Sequence, residues 1–294
     1  MPRGKLYLIP MPIGNDKDIT LRSLEQLKMV DYILSEDTRD AKIILAKYQI
    51  SAPLISYHLY NEKEKLNQII ELMADGNNLA LISDAGMPLI SDPGYLLVKK
   101  LIELNFQIIA LPGANAGLTA LIASGLNTEK FIFFGFIASK GNERHNQIKE
   151  LQDLPYTFIL YEAPHRLLKT LNELMLNNMG NRKIAIGREL TKKYENYLYT
   201  DIINAYQHFQ EESPRGEFVL IIEGSIDYLK RNPNLKEEQR TEELYQLKED
   251  ITELLTGGMK VKAISNFLAK KTKFNKNEIY QLTIDLNDGS REFN

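Results

Sequence analysis

Carboxylate and guanidinium side chains stand in short turns that directly follow apolar runs of the sequence. Glu36, Asp37 and Arg39 follow one such run, and Asp84 follows another. Ligands of open α/β sheets bind beyond the carboxyl ends of the strands, so residues in these turns are placed to meet a ligand. A carboxylate there can take a proton from a reacting group as a general base. The candidate catalytic residues are therefore Asp84, Glu36, Asp37 and, in a later turn, Glu162.

Glycine and proline shape the other turns of the first half of the chain. Residues 10–20, 83–94 and 112–116 each combine glycine or proline with polar residues. Any one of them is typical of an ordinary turn, but several at one sheet edge indicate a binding site. Their spacing matches neither the dinucleotide fingerprint nor the P-loop, and no nucleophile elbow is present. The sequence therefore disfavours nicotinamide enzymes, P-loop enzymes and serine hydrolases.

A second group of charged turns lies in the later part of the chain. These turns are residues 133–140, 161–166 and 188–193, and each lies at the end of an apolar run. The first carries a lysine, and the other two carry both acidic and basic side chains. Taken singly, each is typical of an ion-pair network at a surface. Together they predict one cleft between two domains, with room for an anionic substrate and a small cofactor of mixed apolar and polar character.

The elements that must position these turns alternate between short apolar runs and segments of helical period, which is typical of α/β proteins. The predicted strands are 6–10, 32–35, 54–56, 79–83, 107–111, 131–135, 157–161, 183–187, 197–199 and 218–223. The predicted helices are 21–29, 41–48, 62–74, 94–104, 116–124, 142–151, 166–175 and 201–209. From residue 225 the composition becomes polar and charged, and three helical segments close the chain, the last over residues 276–286.

This pattern predicts three parts. Residues 1–125 form an N-terminal α/β domain that carries cofactor and substrate loops. Residues 126–226 form a second α/β domain that completes the cofactor cleft. Residues 227–294 form a helical C-terminal region with a possible RNA contact.

Composition restricts the class of protein. The chain has 294 residues and no cysteine, and its four histidines lack the close spacing of zinc ligands, so we expect no metal. No apolar run approaches the roughly 20 residues that a membrane span needs, and the first residues do not form a signal-peptide core. We therefore expect a cytoplasmic protein without a membrane partner.

Positive charge is concentrated in two segments although the formal net charge is −3. Between residues 259 and 276 there are six lysines and no acids, and between residues 182 and 193 five basic residues face one acid. A single segment of this kind is often a solvated helix face. Two in one chain favour a nucleic acid as a partner.

The turns form an ordered set of motifs that resembles a known family. In chain order they are P-I-G with D-I-T (12–20), S-E-D-T-R (35–39), S-D-A-G-x-P-x-I-S-D-P-G (83–94), P-G-A-N-A (112–116), G-F-x-x-x-K (135–140), Y-E-x-P-H-R (161–166), R-E-L-T-K (188–192) and G-E (216–217). The set is similar to that of the bacterial small-subunit rRNA (cytidine-2′-O)-methyltransferase family. Any single motif would be weak evidence.

The resemblance implies a fold, a reaction and partners. The implied fold is the two-domain tetrapyrrole-methylase fold of class III methyltransferases, here with a small helical C-terminal region. The implied reaction is S-adenosylmethionine-dependent 2′-O-ribose methylation of a cytidine in 16S rRNA within the small ribosomal subunit. A homodimer is the implied assembly.

Site residues carry over by position. The implied S-adenosylmethionine contacts are Ile13, Met87, Ile90, Asn115, Ala116, Tyr161, Glu162 and Gly216. The implied RNA contacts are Arg39, Lys140, Arg144, His165, Arg166, Arg188 and Lys192. The chain departs from the usual pattern at Met11, Asp16, Met87 and Ala138–Ser139, and the last departure removes one expected cation from the RNA contacts.

Two other functions fit parts of the same pattern. One is a methyltransferase of the same fold that acts on a small molecule of the tetrapyrrole type, which would need an apolar macrocycle pocket instead of basic segments. The other is a non-catalytic RNA-binding assembly factor, which would bind RNA without binding the cofactor. A metal-dependent hydrolase is the weakest alternative, because no clustered ligand set is present.

Overall fold

A parallel five-stranded sheet organises the first part of the chain in the computed structural model, which describes residues 3–289. Its strands are β1 (Lys5–Leu8), β2 (Tyr32–Ser35), β3 (Leu54–Ser56), β4 (Leu79–Leu81) and β5 (Gln107–Ala110). Their spatial order is β3-β2-β4-β1-β5, and every neighbouring pair is parallel. Because all strands run the same way, the turns that follow them meet at one edge of the sheet.

Five helices follow the strands of this sheet. Four of them cover its two faces, and the fifth packs against the second sheet. They are α1 (Leu21–Met29), α2 (Thr38–Lys47), α3 (Glu62–Ala74), α4 (Tyr95–Glu103) and α5 (Ala116–Ala123). One core lies around Leu27 and Ile33 and the other around Ile69 and Leu97, on opposite faces. The central strand β4 is buried along its whole length, which explains its uninterrupted apolar sequence.

A mixed five-stranded sheet organises the next part. Its strands are β6 (Phe131–Phe136), β7 (Thr157–Glu162), β8 (Lys183–Arg188), β9 (Asn196–Asp201) and β10 (Phe218–Ile222), in the spatial order β6-β7-β10-β8-β9. β6 and β7 are parallel, and the other pairs are antiparallel. The helices of this part are α6 (Gly141–Asp153), α7 (Pro164–Leu174) and α8 (Ile202–Glu211), and a π turn spans Met175–Met179.

α7 and α8 cover one face of the second sheet, and α5 covers part of the other. Along β10, Phe218 and Leu220 pack into the core beneath α7 and α8, whereas Val219 and Ile221 pack with α5 on the other face. A helix that follows the first sheet thus completes the core of the second. Its amino end is thereby carried to the space between the two sheets.

Four helices close the chain: α9 (Ser225–Arg231), α10 (Pro233–Thr256), α11 (Val261–Leu268) and α12 (Lys276–Gly289). The chain divides into two compact units, residues 1–228, which hold both sheets, and residues 229–294. The second unit has a core of its own, in which α10, α11 and α12 share Leu247, Ile251, Ile264, Leu268 and Ile279.

The predicted α/β class with a helical C-terminal region is confirmed, and all ten predicted strands lie at the predicted places. One terminal helix more than the three predicted is present, because residues 225–231 form a separate short helix. The division into domains at residues 125 and 226 stays a prediction, and residues 1–2 and 290–294 of its end domains lie outside the described residues. None of the described helices has the length and apolar character of a membrane-spanning helix.

Candidate functional site

A cavity of about 460 Å³ lies where the carboxyl-end turns of the first sheet face the second sheet. This volume is in the range of small-molecule sites. Apolar side chains from both sheets line it, among them Ile13, Met87, Ile90, Leu190 and Val219. Its acidic lining residues are Asp84, Asp92, Glu162 and Glu217.

The cavity brings together seven of the eight residues that the motifs predicted as cofactor contacts. These are Ile13, Met87, Ile90, Asn115, Ala116, Tyr161 and Glu162. Gly216 does not line it, because its Cα faces the side chain of Glu189, and its neighbour Glu217 reaches the cavity instead. The role of each residue as a cofactor contact stays a prediction.

Backbone pairing joins the first two turns that form the cavity wall. The N–H of Met11 donates to the carbonyl of Gly86 at 2.8 Å, and the N–H of Gly86 donates back to Met11 at 3.0 Å. The hydroxyl of Ser83 also donates to the Gly86 carbonyl, at 3.0 Å. Gly86 has a φ of 75°, a conformation that glycine adopts without steric cost. The motif glycine therefore serves to bring the two turns into register.

On each side of the cavity, an apolar residue stands between two residues whose backbone is in the left-handed conformation. On the first sheet, Leu89 and Ser91 have φ values of 72° and 67° and flank Ile90. On the second sheet, Glu189 and Thr191 have φ values of 51° and 65° and flank Leu190. Each such residue costs about 1 kcal/mol or more, and this strain persists only where the surroundings fix it.

Two polar contacts fix the amino end of α5 at the cavity. The side chain of Asn115 accepts from the N–H of Leu118 at 2.8 Å and caps the helix. The hydroxyl of Tyr161, which projects from β7, accepts from the N–H of Gly117 at 3.0 Å. Burial raises the pKa of Tyr161, so its hydroxyl keeps its proton at neutral pH.

Three carboxyl groups interact at the first-sheet side of the cavity. Burial, together with the negative charges of Glu36 and Asp84, raises the pKa of Asp92 to about 6. Burial also raises the pKa of Glu36, and the charge of Asp84 adds to that rise. Asp92 was not among the predicted catalytic residues. It stands in the quoted S-D-A-G-x-P-x-I-S-D-P-G motif, and its position just before Pro93 and Gly94 was the only available signal.

A buried glutamate holds the turn that carries Asp92. The carboxylate of Glu62 accepts from the hydroxyl of Tyr57 at 2.8 Å and from the N–H of Gly94 at 3.0 Å. Burial and this hydrogen bond raise the pKa of Tyr57. Gly94 has a φ of 130°, and a Cβ there would lie 2.8 Å from Leu81. The sequence places Glu62 only at the start of a helix, and it gives no sign of the contact with Gly94, which is distant in the chain.

The other two predicted catalytic carboxylates have structural partners. Asp37 does not line the cavity; it caps α2 and binds Arg39, whose hydrogen bonds hold the pKa of Asp37 well below its usual range. Glu162 lines the cavity but is buried, accepts from the hydroxyl of Thr170, and lies 3.1 Å from Nε of Arg166. Glu36 lies beside Asp84 and Asp92 without lining the cavity.

The predicted RNA contacts divide into exposed and engaged cations. Arg39, Lys140 and His165 are exposed. Arg144 is only 3% exposed and donates to Glu173, Thr170 and the carbonyl of Ala138. The guanidinium of Arg144 is thus engaged within the helical layer of the second sheet, and its contact with RNA stays a prediction.

The remaining three cations are partly exposed and bound within the fold. Arg166 donates to the carbonyl of Ala138 at 3.3 Å, in addition to its ion pair. Nε of Arg188 donates to the carbonyl of Arg215 at 2.7 Å. Nζ of Lys192 binds the carboxylates of Glu189 and Glu217 at 3.0 and 2.8 Å. Their contact with RNA stays a prediction.

The charge of the lining indicates the kind of ligand. Four acidic residues line the cavity, and its lining includes no lysine or arginine in the part of the chain that the structure describes. Phosphate groups are bound by cations and by clusters of backbone N–H groups, so this lining favours a cationic ligand over a polyphosphate. Within residues 3–289, no three His, Asp or Glu side chains converge as a metal site would require.

Comparison with known proteins identifies relatives over most of the chain. Residues 5–204 match the family described as Tetrapyrrole (Corrin/Porphyrin) Methylases. The chain is 42% identical to Ribosomal RNA small subunit methyltransferase I of Bacillus subtilis, over 94% of this chain and 93% of the relative. It is 40% identical to the protein of the same name from Synechocystis, over 96% of this chain and 98% of the relative.

A solved structure shares the fold at low identity. Uroporphyrin-III C-methyl transferase from Thermus thermophilus, complexed with S-adenyl homocysteine, has a TM-score of 0.53 and 15% identity. The match covers 77% of this chain and 100% of that chain.

The interaction of the three carboxyl groups can be tested by titration. The carboxyl carbon of Asp92 should titrate near pH 6 in NMR spectra of the protein, so the group is neutral below this pH and charged above it. The substitution Asp84→Asn should lower this midpoint, because it removes one neighbouring charge, while burial keeps it above the usual 3.8. The exposed Asp40→Asn on α2 is the matched control and should leave it unchanged. A wild-type midpoint at 3.8, or a midpoint that is unchanged in Asp84→Asn, would contradict the interaction of these carboxyl groups.

Proposed function

This chain belongs to the tetrapyrrole methylase family, and on that premise we propose that it methylates RNA of the small ribosomal subunit with S-adenosylmethionine as donor. Family membership makes the chain a methyltransferase. The finer proposal is that the acceptor is the ribose 2′-hydroxyl of a cytidine in 16S rRNA, in the cytoplasm where the subunits are made. The observation that carries the proposal is the cavity between the two sheets, which is lined by acids and apolar side chains.

The residues of the cavity fit S-adenosylmethionine. Ile13, Met87, Ile90 and Leu190 supply apolar surface that suits an adenine ring. Asp84 and Asp92 supply negative charge that suits a sulfonium and an amino group. When bound, the cofactor would supply an activated methyl group, so the protein's main tasks are to align the acceptor and to accept its proton.

Asp92 is the group best suited to accept the proton of the acceptor hydroxyl. Its pKa of about 6 makes it mostly ionised at neutral pH while leaving it a stronger base than an ordinary aspartate. Asp84 stands beside it and raises that pKa. Glu62 holds the Asp92 turn through Gly94 and so acts as a positioning residue.

Exposed cations near the turns would hold the RNA backbone outside the cavity. The side chain of Arg39 is 87% exposed, and its pair with Asp37 is a surface ion pair of little strength. Arg39 is therefore free to exchange that partner for a phosphate. Lys140 at the amino end of α6 and His165 are exposed in the same way. Phosphate contacts of this kind position an RNA without reading its sequence.

The C-terminal unit offers a second basic surface, considered by itself. Lys270 and Lys271 are exposed between α11 and α12, and Nζ of Lys271 lies 4.2 Å from the centre of the Phe267 ring. Lys273 is paired with Glu243 at 3.0 Å. Acids are concentrated instead on α10, whereas residues 259–276, which include α11 and the turn before α12, hold six lysines and no acid, so this side of the unit is positive. We infer that this side binds RNA phosphates.

A second copy of the chain is the proposed partner of α5. Leu118 and Ile122 stand one turn apart on the outward side of this helix, and Ile122 is 80% exposed. Their other neighbours on α5, Ala120 and Leu121, are buried against the second sheet. An exposed apolar stripe on a helix that is otherwise packed is typical of a protein interface.

The reaction is tested by label transfer. Small subunits from a strain lacking this protein should accept tritium from labelled S-adenosylmethionine, and nucleoside analysis should recover the label in 2′-O-methylcytidine. The variant Asp92→Asn should transfer label at least about a hundredfold more slowly, the size expected for loss of a general base. Asp40→Asn is the control.

Label on a base would contradict the ribose acceptor, and label on a tetrapyrrole alone would favour the small-molecule alternative. Binding of RNA without binding of the cofactor in calorimetry would favour an assembly factor.

The basic surface of the C-terminal unit is tested by salt dependence. The double variant Lys270→Gln, Lys271→Gln should bind small-subunit RNA more weakly and should lower the slope of log affinity against log salt by about 1 to 2. The matched control is Lys248→Gln, an exposed lysine on α10. An unchanged slope in the double variant would exclude phosphate contacts by these lysines.

The homodimer is tested by sedimentation. The wild-type chain should sediment as a dimer, and Ile122→Asp should sediment as a monomer because a charge cannot be buried unpaired in an apolar interface. Ile43→Asp, at an exposed isoleucine of α2, is the control and should remain dimeric. A wild-type monomer, or an Ile122→Asp dimer of unchanged stability, would contradict the interface.

A further inference from the structure

Three aromatic rings form a cluster at the edge of the cavity on the second sheet. The rings of Phe133 and Phe136 lie 5.2 and 5.5 Å from the ring of Tyr161, both edge to face. Phe133 is 37% exposed and Phe136 is 52% exposed, although both are large apolar side chains. We call Phe133, Phe136 and Tyr161 the aromatic shelf.

A β-bulge creates the shelf. Residues three apart in a regular strand point to opposite faces, so Phe133 and Phe136 should not meet the same neighbour. The register of β6 against β7 shifts between Phe133 and Gly135, and Gly135 has a φ of 75°. The extra residue at this bulge turns Phe136 to the side of Phe133 and Tyr161. Bulges beside active sites commonly re-aim a side chain in this way.

The shelf is continuous with the cavity that holds the carboxyl groups. Phe136 and Tyr161 line that cavity together with Asp84 and Asp92. The Tyr161 hydroxyl accepts from the N–H of Gly117, and this hydrogen bond orients the ring. The shelf thus presents a rigid, exposed aromatic surface directly beside the group proposed to accept a proton.

The shape of the acceptor explains what this surface would bind. A ribose hydroxyl can enter a cavity only when its nucleotide leaves the RNA stack, which exposes both faces of the base. Proteins recognise unstacked bases of RNA by stacking them on aromatic side chains, and such stacking tolerates any base. Because β6 is an edge strand of its sheet, Phe136 is also open to a ligand that approaches from outside.

We propose that Phe136, supported by Phe133 and Tyr161, stacks on an unpaired nucleobase of the RNA substrate beside the ribose that is methylated. This inference rests on the proposed RNA methyltransferase function and adds a binding site for the base to it. In this arrangement the second sheet binds the nucleobase of the acceptor nucleotide, and the first sheet supplies the carboxylate that accepts the proton.

Substitution of Phe136 tests the shelf by separating RNA binding from cofactor binding. Phe136→Leu keeps an apolar side chain but removes the ring, and it should raise the KM for small subunits about tenfold. Its affinity for S-adenosylmethionine in calorimetry should stay within about twofold of wild type, since stacking on the base adds nothing to cofactor binding. Phe136→Tyr keeps the ring and should have a KM close to that of the wild type. Thermal unfolding of each variant reports whether the fold is intact.

Phe131→Leu is the matched control on the same strand. Phe131 is 41% exposed, but its partner Thr157 lies four residues before Tyr161, so Phe131 is roughly 13 Å along the strand from the end of the shelf where Phe136 and Tyr161 meet. This variant should have the wild-type KM.

Each outcome decides between named alternatives. An unchanged KM in Phe136→Leu overturns the shelf, as does an equal loss when Phe131 is changed. A parallel loss of S-adenosylmethionine affinity would assign Phe136 to the cofactor, and altered sedimentation would assign it to a second copy; either result overturns the inference. If wild-type protein fails to label small-subunit RNA, the proposed function itself fails, and this result is distinguishable because it does not depend on any variant.

Discussion

The cavity depends on the close approach of one lysine to one glycine. Lys192 lies in the turn after β8 of the second sheet, and Gly14 lies in the turn after β1 of the first sheet. A Cβ at Gly14 would lie 2.4 Å from Cγ of Lys192, so only glycine allows this contact. The ammonium group of Lys192 is held by Glu189 and Glu217, which fixes the aliphatic part of its side chain against Gly14. These ion pairs therefore hold Lys192 at a point where the turns of the two sheets meet beside the cavity.

The opposite wall is fixed by apolar packing and one hydrogen bond. α5 buries Ala120 and Leu121 against the second sheet, and the Tyr161 hydroxyl accepts from the N–H of Gly117 at its amino end. A single hydrogen bond of this kind contributes about 1 kcal/mol, so the buried apolar side chains supply most of the stabilisation. The hydrogen bond contributes orientation, because it places the Tyr161 ring at the cavity edge. Packing thus determines where the helix lies, and the polar contact determines which residues face the ligand.

The site was largely predictable where function follows local position in the chain. Parallel strands bring their following turns to one edge, so motifs after β1, β4 and β5 could be expected to converge, and Ile13, Met87 and Asn115 do line one cavity. Contacts between distant residues could not be predicted. Arg144 has the sequence of an exposed helical cation, yet its partners Thr170 and Glu173 on α7 bury it. Asp92 likewise owes its raised pKa to burial and to the negative charges of Glu36 and Asp84, and Glu36 lies on a different turn.

The separation of charge in the molecule explains how a chain with a net charge of −3 can act on a polyanion. Acids line the cavity, and the exposed cations Arg39 and Lys140 lie outside it. A phosphate would be repelled from the cavity and attracted to its surroundings, whereas a neutral sugar hydroxyl meets no such repulsion. The same acids favour a cationic methyl donor, and burial together with the charges of Glu36 and Asp84 raises the pKa of Asp92, as the proposed role of proton acceptor requires. One arrangement of charge would therefore suit the proposed donor, the proposed acceptor and the proposed base together.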